Sequence, residues 1–346
     1  MWSGIALAQV EEDGAYLDPQ YQVKNLPMTR SQMGIAGFDS LPIRSNVEAV
    51  IATMTPVKAQ LSRGTCSIFS STALLEGALI REFQVPKDTD LSEEWLEYLI
   101  TRESGTEGSW STRNFEMFRD IGTPREATLP YIGETWTEVV PGTLSESRCG
   151  LLSGFSLTTC LLGHRSPELL TANDQELLNP ASSLHDPEFL KARTEAGKAR
   201  TLFTSKIGVN FNVSSETAIK TLLNKGVAVT WDADFFYGAW NHRKAEGLGI
   251  PRNMDHWAKG IVGYPAVGSV DREMSRTDPA GHSIVIVGYD DALEVTVPTL
   301  MADGTTKNFT YKGVYYFKNS WGVGGFGAET QINGQPHAEI GRASCR

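Results

Sequence analysis

The sequence predicts an α+β chain in which helices come first and strands second. Two observations carry this. Across 66–121 and again from 215 the apolar residues recur at the three- and four-residue spacing of a helix face, whereas 284–287 is an unbroken Ile-Val-Ile-Val run and 292–312 has the pattern of a long hairpin. A chain ordered this way builds two halves that pack against each other.

The first clear element starts at Cys66. Ile68, Leu75 and Leu79 share one face and predict a buried helix over 66–83, ending near Val85-Pro86. A second helix follows Asp90, where Asp90 and Glu93 have the spacing of a capping box and Trp95, Leu96 and Leu99 form the apolar side. A third runs over 111–121 with Phe115 and Phe118 inward and Gly122 as its stop. Residues 133–205 read as an insertion, a polar loop holding two short helices at Ser166-Pro167 and Asp186-Pro187. Helical spacing returns after Ser215 with Ile219, Leu222 and Leu223, stops at Gly226, and gives way to a strand over 227–231. Asp232 and Asp234 then read as a solvated turn, which would bias a site toward basic substrates if it lay near one. The run 284–287 is a strand buried on both faces and ended by Gly288-Tyr289-Asp290-Asp291. Ala302-Asp303-Gly304 turns the hairpin, and 314–318 is the return strand.

Composition removes several function classes. The 346 residues carry 31 basic and 41 acidic side chains, a net charge of −10, with no Lys/Arg run; this excludes a binder of nucleic acid that works by neutralising phosphates. No apolar run approaches the roughly 18 residues of a spanning helix, so no membrane insertion is expected. Four cysteines are too few for a disulfide scaffold. Cys149 and Cys160 either pair in an oxidising compartment or stay free, and Cys345 reads as exposed and unpaired. His164, His185, His242, His256 and His337 are isolated and form no metal-ligand spacing. Gly324-Gly325-Phe326-Gly327 lacks the Lys-Ser/Thr that follows in a phosphate loop. Neither a metal nor an organic cofactor is implied.

The chemistry centres on a cysteine at a helix start. The N-terminal turn of a helix offers unpaired N–H groups and partial positive charge, and both favour thiolate, the nucleophilic form. Gln60 lies six residues earlier, and its amide together with the Cys66 backbone N–H can donate to an oxyanion. His282 sits in Gly281-His282-Ser283 just ahead of the buried strand. Asn319 follows in Lys318-Asn319-Ser320-Trp321-Gly322, and an Asn amide oxygen can fix an imidazole's tautomer and orientation.

Pro56-Val57-Lys58-x-Gln60-x-x-x-Gly64-x-Cys66, then Gly281-His282-Ser283-Ile284, then Lys318-Asn319-Ser320-Trp321-Gly322, in that order, resemble the papain-like cysteine peptidases. Weaker blocks, Leu91-Ser92-Glu93-Glu94, Gly108-Ser109-Trp110 and Leu129-Pro130-Tyr131, fall in the family's order too. The resemblance implies two lobes, a helical left lobe and an antiparallel, barrel-like right lobe, with the active-site cleft between them. It implies a thiolate–imidazolium pair of Cys66 and His282 acting on peptide bonds, Asn319 orienting His282, Gln60 in the oxyanion hole and Trp321 shielding the Asn–His contact. Gly108 and Ser109 would bind the substrate strand, with Gly281 beside the histidine; Thr230 and Ala280 are candidate walls of the specificity pocket. The departures are specific. Arg63 replaces the half-cystine before the nucleophile, Ser67 replaces the tryptophan after it, and Gly281 stands where many members have Asp or Asn.

The implied organisation is an N-terminal extension over 1–37, either a signal remnant or a short pro-segment, a catalytic domain over 38–330 with the insertion at 133–205, and a tail over 331–346. The expected partners are a peptide or protein substrate and, in the cleft, a protein inhibitor or the chain's own N-terminal segment; the insertion is a second candidate cover. The expected setting is secreted or periplasmic, and the unusual insertion and missing disulfide point to a divergent bacterial member. Endopeptidase action is the first expectation. The rivals are an exopeptidase or acyl-transferase using the same pair, and a catalytically silent binding protein on the same scaffold.

Overall fold

The computed structural model describes residues 41–207, 212–213, 215–338 and 340–344. The helical half contains α1 (Val47–Ile51), α2 (Cys66–Phe83), α3 (Glu93–Ser104), α4 (Ser111–Asp120), α5 (Leu144–Cys149), α6 (Gly154–Gly163), α7 (Asp174–Leu178) and α8 (Pro187–Lys206). After α9 (Glu216–Asn224) come β1 (Val229–Phe235), α10 (Lys244–Gly247), α11 (Met254–Ala258), β2 (Ile261–Val262) and α12 (Val270–Met274). The chain then forms β3 (Ala280–Leu300), β4 (Thr306–Lys318), β5 (Gln331–Ile332), β6 (Gln335–Pro336) and β7 (Ile340–Ser344). Five strands make one sheet in the order β1-β3-β4-β7-β2, antiparallel except for the β2–β7 pair. The α+β expectation, helices before strands, holds.

α2 joins the two halves. Ile68, Leu75 and Leu79 pack into a core with Trp95, Leu96 and Phe118 of the neighbouring helices. Ala73 packs with Val285, Val287 and Val314 of the sheet. A helix covered on both sides cannot show a single apolar stripe, and α2 is lined instead by small buried Ser67, Ser70, Ser71 and Thr72. Small side chains let the sheet approach closely. α3 is capped by Ser92, whose Oγ accepts from Trp95 N at 3.1 Å. The expected Asp90–Glu93 box is therefore not the cap; Asp90 is drawn to the Lys58 ammonium at 2.6 Å. Phe118 is fully buried and Phe115 packs at the edge of the same core.

The segment 133–205 is neither a polar loop nor confined to two short helices. It contains α5, α6 and α7, a 3-10 turn at Pro167–Leu170 and most of the 20-residue α8. Leu169, Leu177, Phe189, Ala192, Ala196 and Phe203 complete the helical core, and a Cys149–Cys160 disulfide ties α5 to α6. Four of these six residues lie on α8, where two of the four are alanines and the apolar signal is weak, and Leu169 and Leu177 lie in short elements, so the segment reads as more polar than it packs.

Three strand expectations change as well. β1 begins at Val229 and runs through Asp232 and Asp234, so those carboxylates lie on a strand rather than a turn. β3 does not end at Gly288–Asp291 but runs on to Leu300, 21 residues in all, absorbing that segment as register shifts at Ile286/Gly288 and Asp290/Glu294. Residues 331–344 are not a tail: β7 is an interior strand, paired to β4 from Val314↔Ser344 to Lys318↔Ile340 and to β2 on its other edge. The 1–37 extension and Cys345 lie outside the described residues.

Gly122 ends α4 at φ +87, and a Cβ there would stand 2.1 Å from the Ala196 carbonyl oxygen of α8. Gly142 has a similar φ of +79, but a Cβ there would have nothing within 4 Å. Gly122→Ala should therefore cost about 2–4 kcal/mol in a denaturant titration, and Gly142→Ala only about 1 kcal/mol, the backbone strain alone.

Candidate active site

Cys66 is the first residue of α2, follows Thr65, is fully buried and is not disulfide-bonded. The backbone N–H of Ser283, the residue after His282, is close enough to favour the charged form of its thiol. One helix turn further on, the hydroxyls of Ser70 and Ser283 share a hydrogen bond of 2.5 Å. These contacts bring the cysteine and histidine segments together.

The β3–β4 register places the rest. Val285 pairs with Lys318, so Asn319 emerges beside His282. Asn319 Oδ1 lies 2.8 Å from His282 Nε2 and also accepts from Ser320 N at 2.9 Å. An amide oxygen only accepts, so the imidazole proton sits on Nε2. Nδ1 keeps its lone pair and has no hydrogen-bond partner among the described residues. Trp321 stacks on the ring at 4.9 Å between centroids and 30° between planes. Trp240 and Phe235 meet it edge-on at 5.0 and 5.8 Å. Trp257 and Phe326 close the cage behind Trp321. Nothing local in the sequence marks these four further aromatics as neighbours of His282; only Phe235 lies in the aromatic-rich segment 231–237.

Gln60 is clamped between the two motif blocks. Its N–H donates to Ser320 O at 2.8 Å, its Oε1 accepts from Ser320 Oγ at 2.6 Å, and its Nε2 donates to Arg63 O at 2.8 Å. Gln60 is thus held against the nucleophile loop. Gly108, at φ +69, donates its N–H to the Glu97 carboxylate at 3.3 Å, and Ser109 N donates to Ser67 Oγ at 2.8 Å. Ser67, in the place of the family's tryptophan, therefore ties the Gly108-Ser109 segment to the nucleophile helix. Both N–H groups are engaged inside the fold, which leaves carbonyls as the segment's remaining backbone groups. Gly281 pairs across the sheet with Asp234, Ala280 with Phe235 and Thr230 with Val285. Asp232 accepts from both Ser111 N and Ser111 Oγ, at 3.1 and 3.0 Å, so a carboxylate of β1 caps α4 across the seam between the halves.

Burial bears on the charge state of the pair. It pushes the Cys66 thiol up to about 12; the Ser283 N–H opposes this and the Asp232 charge adds to it. Burial pushes His282 down to about 4, only partly offset by the Asn319 bond. Desolvation of each group works against the expected thiolate–imidazolium pair, and the mutual attraction of the two charges works for it.

The shift of His282 has a measurable consequence. Between pH 6.5 and 4 the unfolded chain binds a proton at this residue and the folded chain does not. Its contribution is therefore fully present above pH 6.5 and is lost as pH falls toward 4, on the order of 3 kcal/mol in all. Glu93 and Glu97, both raised to about 8 by burial, act in the opposite direction. Comparing urea titrations of wild type and His282→Gln at about pH 7 and about pH 4.5 cancels those carboxylates, and the stability gap should narrow at the lower pH.

The comparisons with known proteins bear on one part of this arrangement. The family model of the papain family cysteine proteases matches residues 41–178. Over 97 residues the chain is 35% identical to cathepsin K of Gallus gallus, a stretch that is 28% of this chain and 28% of the chicken protein. Among solved structures, xylellain, a cysteine protease from Xylella fastidiosa, is matched at 14% identity and a TM-score of 0.47, over 88% of this chain and 80% of that one. Procathepsin L 3 of the Tenebrio molitor larval midgut is matched at 14% identity and a TM-score of 0.43, over 90% and 66% of the two chains. The family match takes in Gln60, Cys66, Gly108 and Ser109, while His282 and Asn319 lie beyond it. Residues 41–178 are therefore similar to the papain family cysteine proteases.

Proposed function

We propose that this chain is a papain-like cysteine peptidase, with Cys66 as nucleophile, His282 as general base and acid, Asn319 as the group that orients His282, and Gln60 in the oxyanion hole. The observation that carries the reading is the meeting of three distant motifs: the helix that begins at Cys66 is bonded through Ser70 to Ser283, and the adjacent His282 is held by Asn319 under Trp321.

The chemistry follows from the tautomer. His282 Nδ1 takes the Cys66 proton as the sulfur bonds to the substrate carbonyl carbon, and the carbonyl oxygen becomes an oxyanion facing the Cys66 N–H and the Gln60 amide. The imidazolium returns that proton to the amide nitrogen, the C–N bond breaks, and the amine leaves a thioester on Cys66. Water then gives its proton to His282 and adds to the thioester carbon. Collapse releases the carboxylic acid, and the proton on His282 restores the thiol. The thiolate–imidazolium pair formed by this transfer is strengthened by the low-dielectric surroundings it is made in. Trp321, Trp240 and Phe235 keep water from the His282–Asn319 bond. The substrate is a peptide or protein running along Gly108-Ser109, with Gly281, Thr230 and Ala280 on the opposite wall; the chain acts outside the cytoplasm, and its N-terminal segment or a protein inhibitor occupies the cleft before activation.

The test is hydrolysis of a peptide blocked at both ends, with the products identified by mass. Internal cleavage supports an endopeptidase. Cys66→Ala and His282→Ala should each lower kcat by about 1,000-fold or more, and Asn319→Ala by about 10–100-fold. Cleavage that survives Cys66→Ala would sink the reading, as would a wild-type chain that cleaves nothing once its N-terminal segment has been trimmed.

A further inference from the structure

Arg63 is a fully buried guanidinium three residues before Cys66. Its Nε lies 2.8 Å from Glu107 Oε1, Nη1 3.2 Å from Glu94 Oε2 and Nη2 3.6 Å from Glu97 Oε1. Its remaining donors reach the carbonyls of Ile132 and Leu162 at 3.1 and 2.5 Å. Neutralising buried carboxylates explains such a group only in part. Each carboxylate also accepts a backbone N–H from a separate segment: Glu107 from Gly64 at 3.0 Å, Glu97 from Gly108 at 3.3 Å, Glu94 from Ile132 at 3.1 Å. The Arg63 carbonyl in turn accepts the Gln60 side-chain amide.

We propose that Arg63 is a positioning residue for Cys66: its carboxylate-clamped guanidinium sets the nucleophile loop, the Gln60 amide and the Gly108 strand in register with one another. The proposal rests on reading Cys66 as the nucleophile. A planar fork held on several sides fixes both the place and the rotation of the loop that carries it, which a point charge on a flexible stem does not. Gly64 is then locked from both sides, through the peptide it shares with Arg63 and through Glu107. Misplacing a nucleophile by about 1 Å costs about 100-fold in rate, so a loop with no side chain at Gly64 needs such a lock.

The experiment uses Arg63→Lys, which keeps the charge and loses the fork, Glu107→Ala, which frees Gly64, and Glu107→Gln, which keeps an acceptor for the Gly64 N–H. Three quantities are read on the full chain: thermal midpoint, kcat and KM on the blocked peptide, and the rate of Cys66 alkylation by iodoacetamide at about pH 7.5, assigned by peptide mapping. Arg63→Lys and Glu107→Ala should lower kcat and alkylation together by about 10–100-fold with KM within about 3-fold of wild type, and Glu107→Gln should recover most of the loss. A lowered midpoint with kcat and alkylation within about 2-fold of wild type would overturn the proposal and leave Arg63 a stabilising group alone. If Arg63→Lys does not fold, the Glu107 pair decides. If the wild-type chain cleaves no peptide, the peptidase reading fails, whereas the alkylation series still decides whether Arg63 positions Cys66.

Discussion

The seam between the first turns of α2 and the start of β3 is the contact on which the rest of the structure depends. It is lined by hydroxyls and small side chains rather than by bulky apolar ones, and specific hydrogen bonds cross it: Ser70 to Ser283, and the Asn114 amide to the Ser67 carbonyl and the Ser71 hydroxyl. A buried donor or acceptor left without a partner costs about 1–3 kcal/mol. The seam therefore tolerates one register, and that register sets the place of Cys66. The same applies one strand over. His282 and Asn319 meet because Val285 faces Lys318, and a slip of one residue would turn Asn319 to the opposite face of the sheet.

Around this seam the interior is dry and unusually charged. Lys58 is shared by Glu76, Glu93 and Asp90, and Arg63 by Glu94, Glu97 and Glu107. Ion pairs of this kind contribute little net stability over an apolar core, but breaking one costs about 3–5 kcal/mol, because the remaining charge stays buried. Their effect is to specify one arrangement of loops. Burial also dictates the chemistry. It disfavours the charged form of the thiol and of the imidazole, and it makes any charge created during reaction strongly sensitive to the few dipoles present. The disulfide between Cys149 and Cys160 belongs to the same arrangement, since α6, which it anchors, leads directly to Leu162 and His164 beside Arg63.

Much of the fold was legible. α2 was read to the residue, since its apolar spacing and the breakers after it act locally. α4 and α9 were read to within about one residue for the same reason. β1 starts two residues later and ends four residues later than expected, because nothing local marks a strand end when the neighbouring strand supplies the ladder. The helices of 133–205 were underread, since most of them are short and their stability comes from packing on α3 and α4. β7 was missed altogether; Ile340-Gly341-Arg342-Ala343-Ser344 has weak strand character, and its pairing partners lie far away in sequence.

By itself, the sequence determined the helix-then-strand order and the residue types able to do thiol chemistry, because a helix start, a short polar motif and a buried apolar run each act through neighbours a few positions away. Only the tertiary structure decided that the Cys66 helix meets the His282 strand through Ser70 and Ser283, that Asn319 meets His282, that Ser67 binds the Ser109 N–H while the carboxylates around Arg63 bind Gly64 and Gly108, and that Phe235, Trp240 and Trp257 surround the imidazole and its tryptophan cover. Burial, register and desolvation are properties of segments brought together from distant parts of the chain, and no local pattern encodes how much water is left between them.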